Sequence, residues 1–503
     1  MRWTITTFFF LVFFALTLPA QSFFPEHEPA FELLAAKTEG KIKQIVTAQL
    51  DAQEGQELIV LERRGKYPAW TGALSVWTLQ SGRLRKLGDM TLPEDLVYFS
   101  FFQSESKSSR HQGLSALLRT KDQIRLGQWT GKSWTFDGVY THKLSELPNL
   151  RDASYARYYP LPVIEEKEGL VFFLPSATGM DVVSLSQSKV KILHSIPELL
   201  RTYSHSPLGV LAFEPQFVFR FSQWFPTLSV MQGKQGWQVF STWMDEITHI
   251  SFSKDLQSYT TKTHLLNILS EDQRNSGESF VNVNAVDLDG DGDMDFVSNR
   301  FTGSGTSFSA QTKLFFQEGE KKLKEKDISL RKDATSGAVV HDVEGDGDQD
   351  LIFASSQFSF AAIVRAITKK QIQIEFDFFR FDQKKGKYSF SSTDLSKKID
   401  FSFSLKKFFV DGILPTLDGD FNGDGYMDVM YARTDKELSF LIQQPDQSEF
   451  FRSQPTEVYQ VSLPGSYLLG DLNGDQKDEV ILYGTSSKNN QEFSVLENKG
   501  SWK

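Results

Sequence analysis

The stretch DLDGDGDMDFV at residues 287–297 carries an acid at every second position (Asp287, Asp289, Asp291, Asp293, Asp295), then an apolar pair. The same frame returns as DVEGDGDQDLI at 342–352, DFNGDGYMDVM at 420–430 and DLNGDQKDEVI at 471–481, at spacings of 55, 78 and 51 residues. A motif recurring at such intervals marks a repeat architecture, and these periods suit one propeller blade each. Short apolar runs precede and follow each loop, as in a strand, tight turn, strand hairpin.

A second pattern runs through the whole chain: an apolar strand, a polar turn often holding glycine, and another strand. It occurs at 76–87, 126–136, 183–193, 228–240, 314–323, 379–390, 440–451 and 493–502. Eight such hairpins predict an all-β fold, a closed β-propeller of four-stranded blades, with eight blades favoured and seven the alternative count. On this reading residues 242–278 are an insertion or an enlarged connection between blades. The chain stops where the last blade needs a fourth strand, and a strand-like piece near residues 29–34 precedes the first blade. That piece is expected to close the ring, because an unclosed ring exposes a long sheet edge.

The nine-residue loops present side-chain oxygens at positions 1, 3, 5 and 9, which a tight turn directs toward one centre. A hard cation such as calcium takes six to eight oxygens in flexible geometry. The expected ligands are Asp287, Asp289, Asp291 and Asp295 with the Asp293 carbonyl in the first loop. In the second they are Asp342, Glu344, Asp346 and Asp350 with the Asp348 carbonyl. The third offers Asp420, Asn422, Asp424 and Asp428 with the Tyr426 carbonyl, and the fourth Asp471, Asn473, Asp475 and Glu479 with the Lys477 carbonyl. Three to four Ca2+ ions are therefore expected. Gly292, Gly347 and Gly425 occupy position 6, where a left-handed backbone is needed; the fourth loop has Gln476 there, so its turn must be strained or altered.

Charge supports the ion reading. The four windows hold seventeen acids and Lys477, a charge of −16, while the whole chain is −10. The remainder is thus +6, and the global acidity belongs to the loops, whose carboxylates repel one another without a cation. Position 12 is Ser298, Phe353, Tyr431 or Leu482, never the bidentate glutamate of an EF-hand.

The repeats resemble the VCBS or FG-GAP family of extracellular β-propellers, the fold of integrin α-subunit heads, on the pattern D-x-[DN]-x-D-G-x-x-D followed by a strand over residues 281–482. The resemblance implies structural calcium that pins the hairpin between a blade's first two strands, with ligands on the opposite face. Residues 49–57 (QLDAQEGQE) keep the framework but lose positions 1 and 5.

Composition bounds the rest. The chain has 503 residues, 40% hydrophobic and 13% aromatic, which is unlike the aromatic-poor composition of disordered chains. It has no cysteine, which removes disulfides, thiolate metal sites and thiol nucleophiles. No dense basic surface for nucleic acid is legible. Arg2, an apolar run at 8–18 and then Pro19, Ala20, Gln21 and Ser22 read as a signal peptide over 1–22, with an uncleaved anchor as the other reading. Residues 23–503 would form one propeller, secreted, periplasmic or at the cell surface, with no transmembrane segment after signal removal.

Motifs for metalloprotease, serine hydrolase or phosphate-loop chemistry are absent from the sequence, and the eight histidines lack ligand spacing. Arg63, Arg64, Arg119, Arg300 and Arg433 follow second strands, with Lys66, Tyr67 and Trp70 nearby. Such a row suits acidic glycans, or else basic side chains snorkelling at strand ends. Trp77, Trp129, Trp134, Trp237 and Trp502 recur in the hairpins and are expected in blade packing. The function expected is a calcium-binding module for protein or glycan recognition or adhesion. A polysaccharide lyase or hydrolase is the alternative, and a purely structural envelope protein the third reading.

Overall fold

The computed structural model describes residues 30–502 with internal gaps, the longest at 142–156, 206–219 and 444–454. The signal-peptide reading of 1–22 lies outside the described residues.

The strands form eight four-stranded blades in a ring. Blade 1 is Lys41–Ala48, Glu57–Lys66, Ala69–Gln80 and Arg83–Thr91. Blades 2 and 3 begin at Leu96–Ser104 and Val163–Glu166, and a short strand Arg157–Tyr158 pairs in parallel with the first strand of blade 2. Blade 4 is Leu228–Gln232, Trp237–Trp243, Glu246–Phe252 and Tyr259–Leu265. Blade 5 is Ser279–Val286, Asp295–Ser304, Ser307–Glu318 and Lys322–Asp327, and blade 6 is Val339–His341, Asp350–Ser355, Gln371–Asp382 and Ser396–Ser404. Blade 7 is Ile413–Gly419, Asp428–Ala432, Glu437–Leu441 and Glu457–Gln460. First strands of adjacent blades, such as Ile413–Gly419, Ser466–Gly470 and Lys41–Ala48, neighbour one another, as expected around a central channel.

Blade 8 shows how the ring closes. Ser466–Gly470, Glu479–Tyr483 and Glu492–Asn498 come from the C-terminal end, and Phe31–Lys37 supplies the fourth strand. That strand pairs antiparallel in register from Phe31 opposite Asn498 to Lys37 opposite Glu492. Apolar contacts on both faces hold this register: Phe31 is fully buried, packed 4.6 Å from the Phe440 ring and 5.2 Å from Trp502, while Leu34 and Ala36 pack against the boundary with blade 1. The expected closure is thus what the fold contains.

The core is divided among the boundaries between blades. Ile59, Leu61, Leu74 and Val76 of blade 1 pack on Phe99, Phe101, Trp129 and Trp134 of blade 2. Ile42, Leu58 and Val60 of blade 1 meet Ile481, Phe493 and Val495 of blade 8. Each sheet is therefore apolar on both faces in its middle strands, which explains near-continuous apolar runs such as Leu170–Leu174 where a half-exposed strand would alternate. Trp77, Trp129 and Trp134 are buried at these boundaries, and Trp237 and Trp502 pack against them.

The expected insertion at 242–278 is not one. Glu246–Phe252 and Tyr259–Leu265 are the third and fourth strands of blade 4, and the extra length lies earlier, where Arg201–His205 and Arg220–Trp224 form a separate two-stranded sheet. The fourth strand, YTTKTHL, is polar because one edge and much of its surface meet solvent, so it carries little hydrophobic signal. The hairpin at 228–240 is the first and second strands of its blade, whereas those at 76–87, 126–136, 183–193 and 314–323 are third and fourth strands.

Candidate metal loops and their surroundings

The first, third and fourth acidic loops each connect the first and second strands of a blade, and so does the described part of the second. Their turn has two left-handed positions. Gly290, Gly423 and Gly474 at position 4 have φ of 70°, 77° and 80°, and Gly292 and Gly425 at position 6 have φ of 83°. Gln476 takes the same conformation at φ 66°. The fourth loop therefore keeps the turn and strains one non-glycine residue, since a Cβ is disfavoured in the left-handed region.

Position 1 accepts backbone donors from across the turn. Asp420 Oδ1 accepts the Gly423 amide at 2.7 Å and Oδ2 accepts the Gly425 amide at 2.9 Å; Asp471 accepts those of Gly474 and Gln476 at 2.7 and 2.9 Å. Asp287 Oδ2 accepts the Gly292 amide at 2.9 Å. Position 5 caps position 7, as the Asp293, Tyr426 and Lys477 amides donate to Asp291, Asp424 and Asp475.

Position 9 is a buried anchor. One oxygen of Asp295, Asp350, Asp428 and Glu479 accepts the amide of position 2 (Leu288, Val343, Phe421, Leu472) at 2.6 to 3.1 Å. In the first three the other oxygen accepts an amide of the third strand or the residues just beyond it, from Gln317, Phe381 and Gln443 at 2.7 to 3.0 Å. One side chain thus ties the loop, the second strand and the third strand together. Burial pushes Asp295 and Asp428 up to about 7 and Glu479 up to about 8, with nearby loop carboxylates adding to the effect. Blade 1 retains this device without the rest: Glu57 accepts the Leu50 amide at 2.8 Å, and both are buried.

The position-2 residues Leu288, Val343, Phe421 and Leu472 are buried plugs, and position 8 reaches the preceding blade. Met294 packs with Phe240 and Ile247 of blade 4, and Met427 with Val343 and Ile352 of blade 6. Neither role was read from the sequence, although the apolar residue at position 2 of every loop is a visible signal.

Carboxylate oxygens of Asp287, Asp289 and Asp295 lie within 4.8 Å of one another and could hold a metal ion. Asp287 Oδ1 is buried with no hydrogen-bond partner. A buried carboxylate oxygen lacking a donor is the polar group a cation would satisfy, so the residues fit one. Asp291 is not part of this group. In the third loop Asn422 Nδ2 donates to Asp424 Oδ2 at 2.7 Å, turning those two side chains toward each other. In the fourth, Lys477 Nζ stands 3.6 Å from Asp475 Oδ2, so part of that loop's charge is already offset. Glu344, Asp346 and Asp348 of the second loop lie outside the described residues.

The arginine row does not form an open anion site. Arg119 is 0% exposed, and burial pulls its pKa down. Arg64 is held by Glu62, Glu39 and Asp89 at 3.2, 3.3 and 2.8 Å. Arg300 donates to the Ile268 carbonyl and Arg433 to the Tyr431 hydroxyl, while Arg63 stacks 3.1 Å from the Trp70 ring centre. The sequence shows their position after second strands but not that tertiary neighbours have engaged them.

Residues 420–482 match the family described as FG-GAP-like repeat. No curated protein matches the chain. Among solved structures it is similar to Sqt1 from Chaetomium thermophilum (10% identity, 93% of this chain and 100% of that one, TM-score 0.43). It is also similar to a protein from Lactobacillus plantarum (10% identity, 72% and 95%, TM-score 0.36). A third is the alpha-L-arabinanase of Penicillium chrysogenum, solved with arabinobiose (12% identity, 64% and 94%, TM-score 0.31). Among the described residues no helix is long and apolar enough to cross a membrane.

Proposed function

We propose that this FG-GAP/VCBS-type β-propeller is an exported, calcium-stabilised module for binding a protein or glycan, working in a secreted, periplasmic or cell-surface setting. The observation that carries the calcium part is the partnerless, buried Asp287 Oδ1 facing Asp289 and Asp295. The ligand sets are those of the four loops, from Asp287 to Glu479, with position 9 serving both as backbone anchor and as a metal ligand. Bound calcium would neutralise carboxylates that the fold has already gathered and partly desolvated, and so hold the first two strands of each blade in register.

An extracellular site of this kind works at micromolar to millimolar calcium, where the ion is plentiful. Binding to the folded state alone adds about 2.7 kcal/mol per site at a hundredfold excess over Kd. The test is thermal unfolding of the mature chain in excess calcium and in chelator, with elemental analysis of the dialysed protein. Calcium should raise the melting temperature, and Asp287→Asn with Asp289→Asn should remove part of that rise. An identical transition in both buffers, with no bound metal, refutes the reading.

A polysaccharide-acting enzyme needs an acid and a base converging in a cleft. Among the described residues the cleft between blades 5 and 6 has no carboxylate in its lining, so this cleft lends that alternative no support.

A further inference from the structure

Where the first strand of blade 5 meets the first strand of blade 6, the ring leaves a cleft of about 450 Å³. This size falls in the range of small-molecule sites, about 300–1,000 Å³. Its described lining residues are uncharged: Asn282, Asn284 and Asn299, Gln349, Phe301, and the segment Gly337 to Val340 with Val286. Among the described residues no Asp, Glu, Lys, Arg or His lines it, in a chain that is 23% charged. Asn282 and Asn284 alternate outward on their strand while Val281 and Val283 are buried against blade 4. Their amides are therefore presented to the cleft as a pair, with Asn282 Nδ2 3.4 Å from Asn284 Oδ1.

The floor is rigid. Asn299 Oδ1 accepts the Ala338 amide at 2.8 Å and the Thr312 hydroxyl at 2.7 Å, and Asn299 Nδ2 donates to the Ala338 carbonyl at 3.0 Å. This clamp joins the two blades and depends on Gly337, where a Cβ would stand 2.4 Å from Asn299 Cγ. On the other wall Val339 is 50% exposed, a large apolar side chain left open to solvent. Carboxamides both donate and accept, and so match hydroxyl groups, which do the same. Phe301 and the valines match an apolar C–H face. Alternating hydroxyl edges and C–H faces are the chemistry of an uncharged sugar ring.

We infer that this cleft between blades 5 and 6 binds a neutral saccharide, with Asn282 and Asn284 holding its hydroxyls and Val339 and Phe301 its apolar face. The inference rests on the binding-module reading and gives it a ligand class. The test is a printed array of neutral glycans, sialylated and sulfated glycans, and peptides, probed in calcium with the mature chain. Titration calorimetry follows with the neutral oligosaccharide best retained. The inference predicts retention on neutral glycans and at least a tenfold loss of affinity in Asn282→Ala/Asn284→Ala with an unchanged melting temperature. Val339→Asp, at an exposed position, should do the same by placing a charge in the cleft. Retention only on anionic glycans or only on peptides overturns the saccharide assignment while leaving the module reading intact. So does neutral-glycan affinity untouched by both variants. No retention on any surface overturns both.

Discussion

Asp420 and Asp478 exchange two hydrogen bonds across the boundary between blades 7 and 8. The Asp478 amide donates to the Asp420 carbonyl at 2.9 Å, and the Asp478 carboxylate accepts the Asp420 amide at 2.9 Å. Asp420 is position 1 of one acidic loop and Asp478 position 8 of the next. The relation repeats one blade on, where the Gln56 amide, at position 8 of the degenerate blade 1 loop, donates to the Asp471 carbonyl at 2.8 Å. The loops are therefore linked to one another around this part of the ring.

Asp478→Ala should destabilise the protein by about 1–3 kcal/mol, because the Asp420 amide loses a charged acceptor. Asp478→Asn keeps an accepting oxygen and should lose less. Chemical denaturation of the two variants at fixed calcium separates these outcomes, and equal midpoints would show that the exchange contributes nothing.

Gln476 in its left-handed turn makes an opposite kind of prediction. Gln476→Gly should stabilise by roughly 0.5–1 kcal/mol, the Cβ strain removed being partly offset by the greater freedom of glycine when unfolded. Gly425→Gln, installing the same residue in the third loop, should destabilise. A shift of the denaturation midpoint in the same direction for both would contradict the strain argument.

The closing strand is the joint on which the ring depends. Phe31→Ala should cost about 3–5 kcal/mol, the range for truncating a buried aromatic, since Phe31 touches Phe440 and Trp502. Removing the chain through residue 37 should lower the melting temperature further by unpairing Glu492–Asn498. An unchanged transition after that truncation would mean the ring does not close as described.

His249 provides one separable part of the pH dependence. It is stacked 4.4 Å from Phe240, with its Nε2 3.1 Å from Ser251 Oγ, and His264 and Lys262 stand on the neighbouring strand. Burial, helped by those two neighbours, lowers its pKa to about 4 from 6.5. The unfolded chain thus binds a proton that the folded one refuses. This stability is complete above pH 6.5 and is lost as the pH falls toward 4, by on the order of 2–3 kcal/mol. His264, also lowered, adds in the same direction. Because the loop carboxyls Asp295, Asp428 and Glu479 titrate in the opposite sense and are common to both proteins, the readout is the difference in stability between wild type and His249→Gln, which should change by this amount from pH 4 to 7; a constant difference would place the titration elsewhere.

Legibility followed the range of the interaction. Spacing within nine residues revealed the acidic loops, because turn geometry and oxygen placement are set by neighbours along the chain. Leu288, Phe421 and Leu472 at position 2 were equally local signals, but their meaning as plugs needed the blade beneath them. Arg119 read as a surface cation after a strand, since nothing adjacent in sequence announces that it is fully buried, within electrostatic reach of Tyr98 and of Asp181 in blade 3.

The sequence by itself determined an all-β ring of repeated hairpins with oxygen-rich loops between first and second strands, because periodic polarity and loop spacing are properties of short segments. Only the tertiary structure decided which strand begins blade 4, that Asp478 serves the neighbouring loop, that Gln476 accepts a left-handed turn, and that uncharged amides meet between blades 5 and 6. Each of these depends on which face of one sheet lies against the next, and that contact is fixed by packing between segments far apart in the chain.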